Sequence, residues 1–318
     1  MKKSTIFGLL SITILGIVGF FAWNQRYTIY DYVRLQNYTP TVEIATLAQD
    51  SGMSGKGQNI FYVNDPQVAD KTTFNSKCPQ KEQSIVLGCY NGREIFIYNV
   101  TEQQLAGIKE VTAAHEMLHA AYDRLSSKEK KSVDAMLLSV FESIQDQRLK
   151  NIIEAYRKED PTVVSNELHS IIGTEIRNLP PQLEQYYQRY FIDRSKVVSL
   201  SEKYEMVFIE AKNKADQLIG DLSLRKSEID RLEKQVAQTM GQLQQQKNTL
   251  ENLKNTGNTV EYNALVPIYN QTVQQYNLLV QEMAQLIEEY NQKVAEYNNL
   301  TGYQQELINS IDSKYQQL

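Results

Sequence analysis

Hydrophobic residues occur at strand-like spacing from about residue 59 onward. Short runs rich in Ile, Val, Tyr and Phe cover residues 60–63, 84–90 and 94–100. We predict that each run forms a β-strand. Asn91 and Gly92 lie between the last two runs and are typical of a tight hairpin turn. The pattern therefore predicts a small antiparallel sheet.

The hydrophobic spacing becomes helical after this sheet. Thr101 and Gln104 have the spacing of a capping box, and apolar residues then recur every three or four positions. We predict a buried helix that starts at Thr101, followed by helices over about 127–156, 162–178 and 182–193. Pro180 and Pro181 are expected to end the third of these helices.

From about residue 195 the apolar residues follow a seven-residue repeat. Two arms are separated by residues 255–258, which include a glycine. This pattern predicts two long helices that form an antiparallel coiled-coil hairpin. The tyrosines of the second arm serve either packing alone or a tyrosine-lined binding surface. The repeating positions are Ile229, Val236, Leu243 and Leu250 in the first arm, and Tyr262, Tyr269, Tyr276, Met283, Tyr290 and Tyr297 in the second.

The amino-terminal segment is strongly apolar. Residues 5–23 carry no charged side chain, follow Lys2 and Lys3, and have nearly the length of a membrane-spanning helix. No small-residue cleavage site follows, so we predict an uncleaved signal anchor with the remaining chain outside the cytoplasm. The predicted localisation is a single-pass protein of the cell membrane, and residues 25–58 would link the anchor to the next domain.

Charge and cysteine content limit the partners and the compartment. The chain has 33 Lys and Arg against 38 Asp and Glu, and no basic stripe that would attract nucleic acid. We therefore expect no nucleic-acid partner. Cys78 and Cys89 are the only cysteines. Their spacing is typical of a local disulfide, which an extracytoplasmic compartment permits, and a Cys-based zinc site is disfavoured.

The histidines carry the most specific chemical signal. All three, His115, His119 and His169, occur in the middle of the chain. On a helix, His115 and His119 project from the same face and can share one Zn²⁺, with Glu116 beside them. A zinc ion acidifies its bound water, and Glu116 can act as general base. This arrangement predicts peptide hydrolysis.

The His115-Glu116-Met117-Leu118-His119 segment resembles the zincin metallopeptidases. The resemblance covers about residues 59–191 and is similar to the gluzincin arrangement, in which a glutamate on a later helix completes the zinc site. It implies Glu167 as third ligand, with Glu175 as the alternative. His169 is implied as a further ligand or as a catalytic donor to the oxyanion, and Tyr156 is a weaker candidate for that role. The resemblance also implies that the strand 94–98 pairs with an extended peptide substrate.

The predicted fold class is α+β and mainly α, with a small sheet and helices in a zincin-like domain before the coiled-coil hairpin. The expected divisions are an anchor at 1–24, a linker at 25–58, a peptidase domain at 59–194 and the hairpin at 195–318. We predict a membrane-anchored zinc peptidase that cleaves peptides or proteins. The alternatives are an amidase with the same metal chemistry, and a non-catalytic protein that binds a protein partner through the coiled coil and keeps a structural or degenerate zinc site.

Overall fold

A computed structural model describes residues 26–78 and 85–314. Short helices and a small sheet make up the first part, and two long helices follow. The helices are α1 (Arg26–Leu35), α2 (Val42–Asp50), α3 (Gly55–Tyr62), α4 (Lys71–Lys77), α5 (Ile108–Asp123), α6 (Ser127–Ser143), α7 (Gln147–Glu159), α8 (Val164–Glu175), α9 (Pro181–Tyr187), α10 (Arg194–Asn255) and α11 (Thr259–Ile311). The strands are β1 (Gln67–Ala69), β2 (Gly88–Tyr90) and β3 (Ile95–Tyr98).

The sheet has the order β1-β3-β2. β2 and β3 form the predicted antiparallel hairpin, in which Cys89 lies opposite Phe96. β1 pairs with β3 in parallel, so the sheet is mixed and the prediction of a wholly antiparallel sheet is wrong. The predicted strand at 60–63 is wrong, because residues 60–62 belong to α3 and bury Ile60 and Phe61 in the core. The predicted fold class, α+β and mainly α, is confirmed.

Helix α5 lies at the centre of the hydrophobic core. Its Ala113, Ala114, Met117 and Leu118 are fully buried, and it packs against α2, α3, α8, β2 and β3. Small alanine side chains allow neighbouring elements to approach the helix backbone closely. The residues of α5 that bear chemical groups are therefore held in a tightly packed frame.

Several predicted helix limits differ from the structure. The helix expected at Thr101 begins only at Ile108, because Gly107 has a left-handed backbone conformation with φ of 107°. The helix expected over 127–156 is two helices. Asp146 caps the second of them by accepting hydrogen bonds from the amides of Arg148 and Leu149.

No helix within residues 26–78 and 85–314 is long and apolar enough to cross a bilayer. This finding contradicts the predicted single-pass topology and cell-membrane localisation. The segment on which that prediction was based, residues 5–23, lies outside the described residues.

The predicted disulfide is confirmed. Cys78 at the end of α4 is bonded to Cys89 of β2, and the two Cα atoms are 5.8 Å apart. The bond joins β2 to a second, smaller core cluster that contains Phe74 and Phe96.

The chain divides into two compact units, of which the first comprises Met1–Val207 with Leu307–Leu318 and the second Phe208–Glu306. The second unit contains the predicted coiled-coil hairpin. Its helices run antiparallel. Lys214 of α10 pairs with Glu296 of α11, whereas Asp221, later in α10, pairs with Lys293, which is earlier in α11. The tyrosines of the repeat are half-buried along α11.

Candidate metal centre

Helix α5 presents His115 and His119 on one face. Their ring centroids are 4.7 Å apart in an edge-to-face arrangement. One ligand atom from each of His115, Glu116 and His119 lies within 4.8 Å of the others, so these groups could hold a metal ion. The one-turn spacing expected from the sequence is therefore present.

Glu167 of α8 approaches both histidines. Its Oε2 lies 3.8 Å from His115 Nε2, and its Oε1 lies 3.6 Å from His119 Nε2. Glu116 also belongs to the compact donor group, but Glu167 faces both imidazoles from a different helix. Both Glu116 and Glu167 therefore offer a carboxylate to a metal at this point, and Glu167 is the one that faces both imidazoles.

A glycine allows α8 to pack closely on α5. A Cβ atom at Gly173 would stand 2.4 Å from Leu118 Cδ1 and 2.8 Å from Tyr187 Cε1. No larger residue fits there without displacing a buried neighbour. Gly173 thus sets the close packing of the helix that carries Glu167.

The donor set fits zinc. Two imidazole nitrogens and one carboxylate are the protein ligands of many catalytic zinc sites, which leave a fourth position open. The side chains of His115, His119 and Glu167 are 21%, 12% and 13% exposed, so solvent reaches the group. Burial raises the pKa of the Glu167 carboxyl, but the nearby His119 and His115 lower it more, and the pKa is reduced overall.

Glu116 lies beside this group and is 5% exposed. Its carboxylate packs against β2 at Gly88, where an added Cβ atom would stand 2.7 Å from Glu116 Oε1 and 2.5 Å from Thr112 Cγ2. The sequence pattern by itself predicts only a strand at Gly88. An isolated glycine within a strand pattern is a known sign of close backbone approach, and this signal could have identified it.

Among the described residues, no strand pairs with the outer edge of β2, the strand that contacts this carboxylate. In the part of the chain that the structure describes, β3 lies between β1 and β2, so the predicted role of 94–98 as the substrate-pairing strand is wrong. The amide of Tyr98 donates to Leu87 O and that of Asn91 to Glu94 O. Because peptide groups alternate along an antiparallel strand, the N–H and C=O of Gly88 and Tyr90 point away from β3. These groups can pair with an extended peptide.

Glu175, the alternative third ligand, is engaged elsewhere. Its Oε2 accepts a hydrogen bond of 2.8 Å from Arg148 Nη2, which also binds Glu205 Oε1 at 2.8 Å. The structure brings Glu167, and not Glu175, to the histidines.

His169 lies in the core and not at the open side of the site. It is 0% exposed, and its Nε2 forms a hydrogen bond of 2.8 Å with the Tyr186 hydroxyl. Tyr187 donates its hydroxyl to His169 O at 2.7 Å. Burial lowers the pKa of His169 to about 3, so the ring is neutral at physiological pH. The predicted role of His169 as ligand or oxyanion donor is not supported by this position, since a fully buried side chain cannot contact a substrate.

Tyr156, the weaker candidate for the oxyanion role, is half-buried on α7. Helix α7 packs against α8.

No protein-family model, curated protein or solved structure matches the chain. The zincin resemblance therefore stays a prediction based on the residues of the site.

Proposed function

We propose that the protein is a zinc-dependent peptidase. The observation that carries the proposal is the position of Glu167, whose two carboxylate oxygens face Nε2 of His115 and His119 at 3.8 and 3.6 Å. His115, His119 and Glu167 would hold the ion. Zinc at such a site acidifies a water molecule and polarises a carbonyl group.

Glu116 provides the general base. Its carboxylate takes a proton from the attacking water molecule and delivers it to the departing amine. The outward peptide groups of Gly88 and Tyr90 bind the substrate backbone beside this carboxylate, so that the scissile bond is oriented before reaction. Retention of a glutamate next to the first histidine favours this function over a purely structural metal site, which has no use for a base.

The proposal is tested by metal content and proteolysis of the full chain. Zinc per chain is measured by mass spectrometry for wild type, Glu167→Ala and the matched control Glu175→Ala. Cleavage of a mixture of synthetic eight-residue peptides is measured by mass spectrometry for wild type and Glu116→Gln. Circular dichroism confirms that each variant is folded.

Wild type and Glu175→Ala should each hold one zinc per chain, whereas Glu167→Ala should lose most of it. Glu116→Gln should keep zinc and lose at least about 100-fold in rate, the lower range for removal of a general base. Absence of zinc from the wild type would refute the proposal. Zinc binding without proteolysis would favour the alternative of a non-catalytic protein with a structural site.

A further inference from the structure

One face of helix α1 contacts two separate elements near the proposed metal site. Tyr27, Asp31 and Arg34 recur at helical spacing on that face. Asp31 accepts two hydrogen bonds from Arg124, of 2.9 Å from Nε and 2.8 Å from Nη2. Arg34 Nη1 donates to Arg93 O at 3.4 Å. One face of α1 therefore contacts both Arg124 and Arg93.

These two contacts lie at one end of the proposed substrate path, by which we mean the outer edge of β2 from Gly88 to Tyr90. Arg124 is the C-terminal cap of the metal-binding helix α5, and Arg93 lies in the turn between β2 and β3. α1 thus extends from the hairpin turn to the end of α5. The contact with Arg124 is well defined, since that side chain is only 10% exposed and its Nη1 also donates to Ala120 O at 2.8 Å.

Tyr90 belongs to the substrate path and also lies next to the contacts of α1. Its phenol lies close to Arg124 and Tyr27, and burial raises its pKa to about 12. Tyr90 is also the last residue of β2, and its outward peptide group is the last that β2 offers to an extended peptide before the chain turns at Asn91. Gly88, beside Glu116, is two positions earlier in the strand.

We propose that α1 closes the substrate path at the Tyr90 end, so that the protein accepts peptides with a free terminus near the scissile bond. This inference rests on the peptidase function proposed above. From Gly88 to Tyr90 a strand advances about 7 Å, which is the length of roughly two substrate residues. The substrates are therefore peptides from which a short segment is removed at one end. Whether that end is the amino or the carboxyl terminus depends on the direction in which the peptide pairs with β2.

The test measures binding, so that it does not depend on turnover. A mixture of synthetic eight-residue peptides is first digested with wild type, and mass spectrometry identifies one cleaved peptide and its scissile bond. Fluorescence anisotropy then gives the Kd of that peptide for the zinc-loaded full chain with Glu116→Gln. Two longer versions carry a ten-residue Gly/Ser tail at the amino or the carboxyl end.

A tail at one end only should weaken binding by at least about tenfold, and the affected end gives the pairing direction. Adding Asp31→Lys with Arg34→Glu, which removes both contacts of α1, should reduce that penalty to less than twofold. The matched control Glu43→Ala, which removes an exposed ion pair with Lys109, should keep the penalty. Hydrogen exchange should show faster exchange of the α1 amides in the double variant only.

Equal binding of both tailed peptides would overturn the inference while leaving the peptidase function intact. A penalty that persists in the double variant although the α1 amides exchange faster would also overturn it. If wild type holds zinc and cleaves none of the peptides, the peptidase function and this inference fall together.

Discussion

Gly88 of β2 lies directly against Glu116 of α5, so close that a Cβ atom at position 88 would stand 2.7 Å from Glu116 Oε1. β2, whose peptide groups at Gly88 and Tyr90 point away from β3, therefore meets α5 at the residue proposed as the base. A side chain at position 88 would separate them. The glycine is thus a requirement of the site and not only of the strand.

Gly88→Ala should reduce proteolysis at least about tenfold while zinc content stays at the wild-type level. The added methyl group would displace the Glu116 carboxylate and Thr112 Cγ2, and its three nearest atoms all belong to these two residues and not to a proposed zinc ligand. Cleavage of the eight-residue peptide mixture and zinc content of the same preparations check this expectation. The matched control is Gly55→Ala, where an added Cβ atom meets no atom within 4 Å. Wild-type activity in Gly88→Ala would contradict the assigned contact.

The site could be predicted from the sequence where its geometry is local. His115 and His119 share one helix, so their spacing alone fixes their common face. Glu167 was selected through a family resemblance, and its position depends on how α8 packs against α5, which no local pattern determines. The same resemblance implies a role for His169, but a sequence motif does not show which side of α8 faces the core.

For the fold, too, the features that local sequence specifies were predicted and those that depend on packing were not. The β2–β3 hairpin was predicted because Asn91-Gly92 specifies its turn locally. Residues 60–63 combine β-branched and aromatic side chains that favour a strand, yet 60–62 are helical. There Ser54 caps α3 by accepting a hydrogen bond from the Gly57 amide, and Ile60 and Phe61 are buried against the core. Tertiary packing overrides a weak local preference in such short segments.

Arg194→Met should lower the free energy of unfolding by about 2 kcal/mol, because two carbonyl groups lose their hydrogen-bond donor and an unsatisfied buried acceptor costs about 1 to 3 kcal/mol. Arg194 is almost fully buried, donates to Ile176 O at 2.6 Å and Arg177 O at 2.8 Å, and pairs with Glu184. Methionine leaves these carbonyl groups at the end of α8 without a donor. Urea denaturation followed by circular dichroism measures the change.

The matched control is Arg177→Met. Arg177 is exposed and paired with Glu202 on the surface, so its loss should leave the urea midpoint almost unchanged. Equal effects of the two substitutions would contradict the structural role assigned to Arg194.

Glu205 should make the protein less stable as the pH rises. Burial and the nearby Glu175 raise the pKa of Glu205 to about 7, against the lowering effect of Arg148. The folded state then binds a proton more tightly than the unfolded state, whose glutamate titrates near pH 4.5. Stability is therefore full below that pH and falls as the pH rises through about 7.

Glu205→Gln should remove this dependence and raise the free energy of unfolding at pH 8 by on the order of 2 kcal/mol, with little change at pH 4. Urea denaturation across pH 4 to 8 would be compared with Glu202→Gln. The Glu202 pKa is lowered by its hydrogen bond with Arg177, so its stabilising contribution is present at high pH and lost on acidification. A steeper loss with rising pH in Glu205→Gln than in wild type would contradict this reasoning.

The hairpin contains a polar pair within its apolar seam. Gln246 Nε2 donates to Thr272 Oγ1 at 3.2 Å, while Gln246 Oε1 is buried and has no hydrogen-bond partner among the described residues. Thr272 also donates to Ile268 O at 3.0 Å, so its hydroxyl keeps a partner when Gln246 is replaced. The two members of the pair are therefore not equivalent.

Gln246→Leu should stabilise the hairpin locally, because it removes an unsatisfied buried oxygen whose desolvation costs about 1 to 3 kcal/mol. Thr272→Val should destabilise the hairpin locally, since the side-chain amide of Gln246 then loses its hydrogen bond to the Thr272 hydroxyl. Hydrogen exchange of the amides around positions 246 and 272 should slow in the first variant and quicken in the second. If both variants exchange faster than wild type, the Gln246–Thr272 pair stabilises the seam as a unit, which is the behaviour expected of a polar pair that fixes the register of a coiled coil.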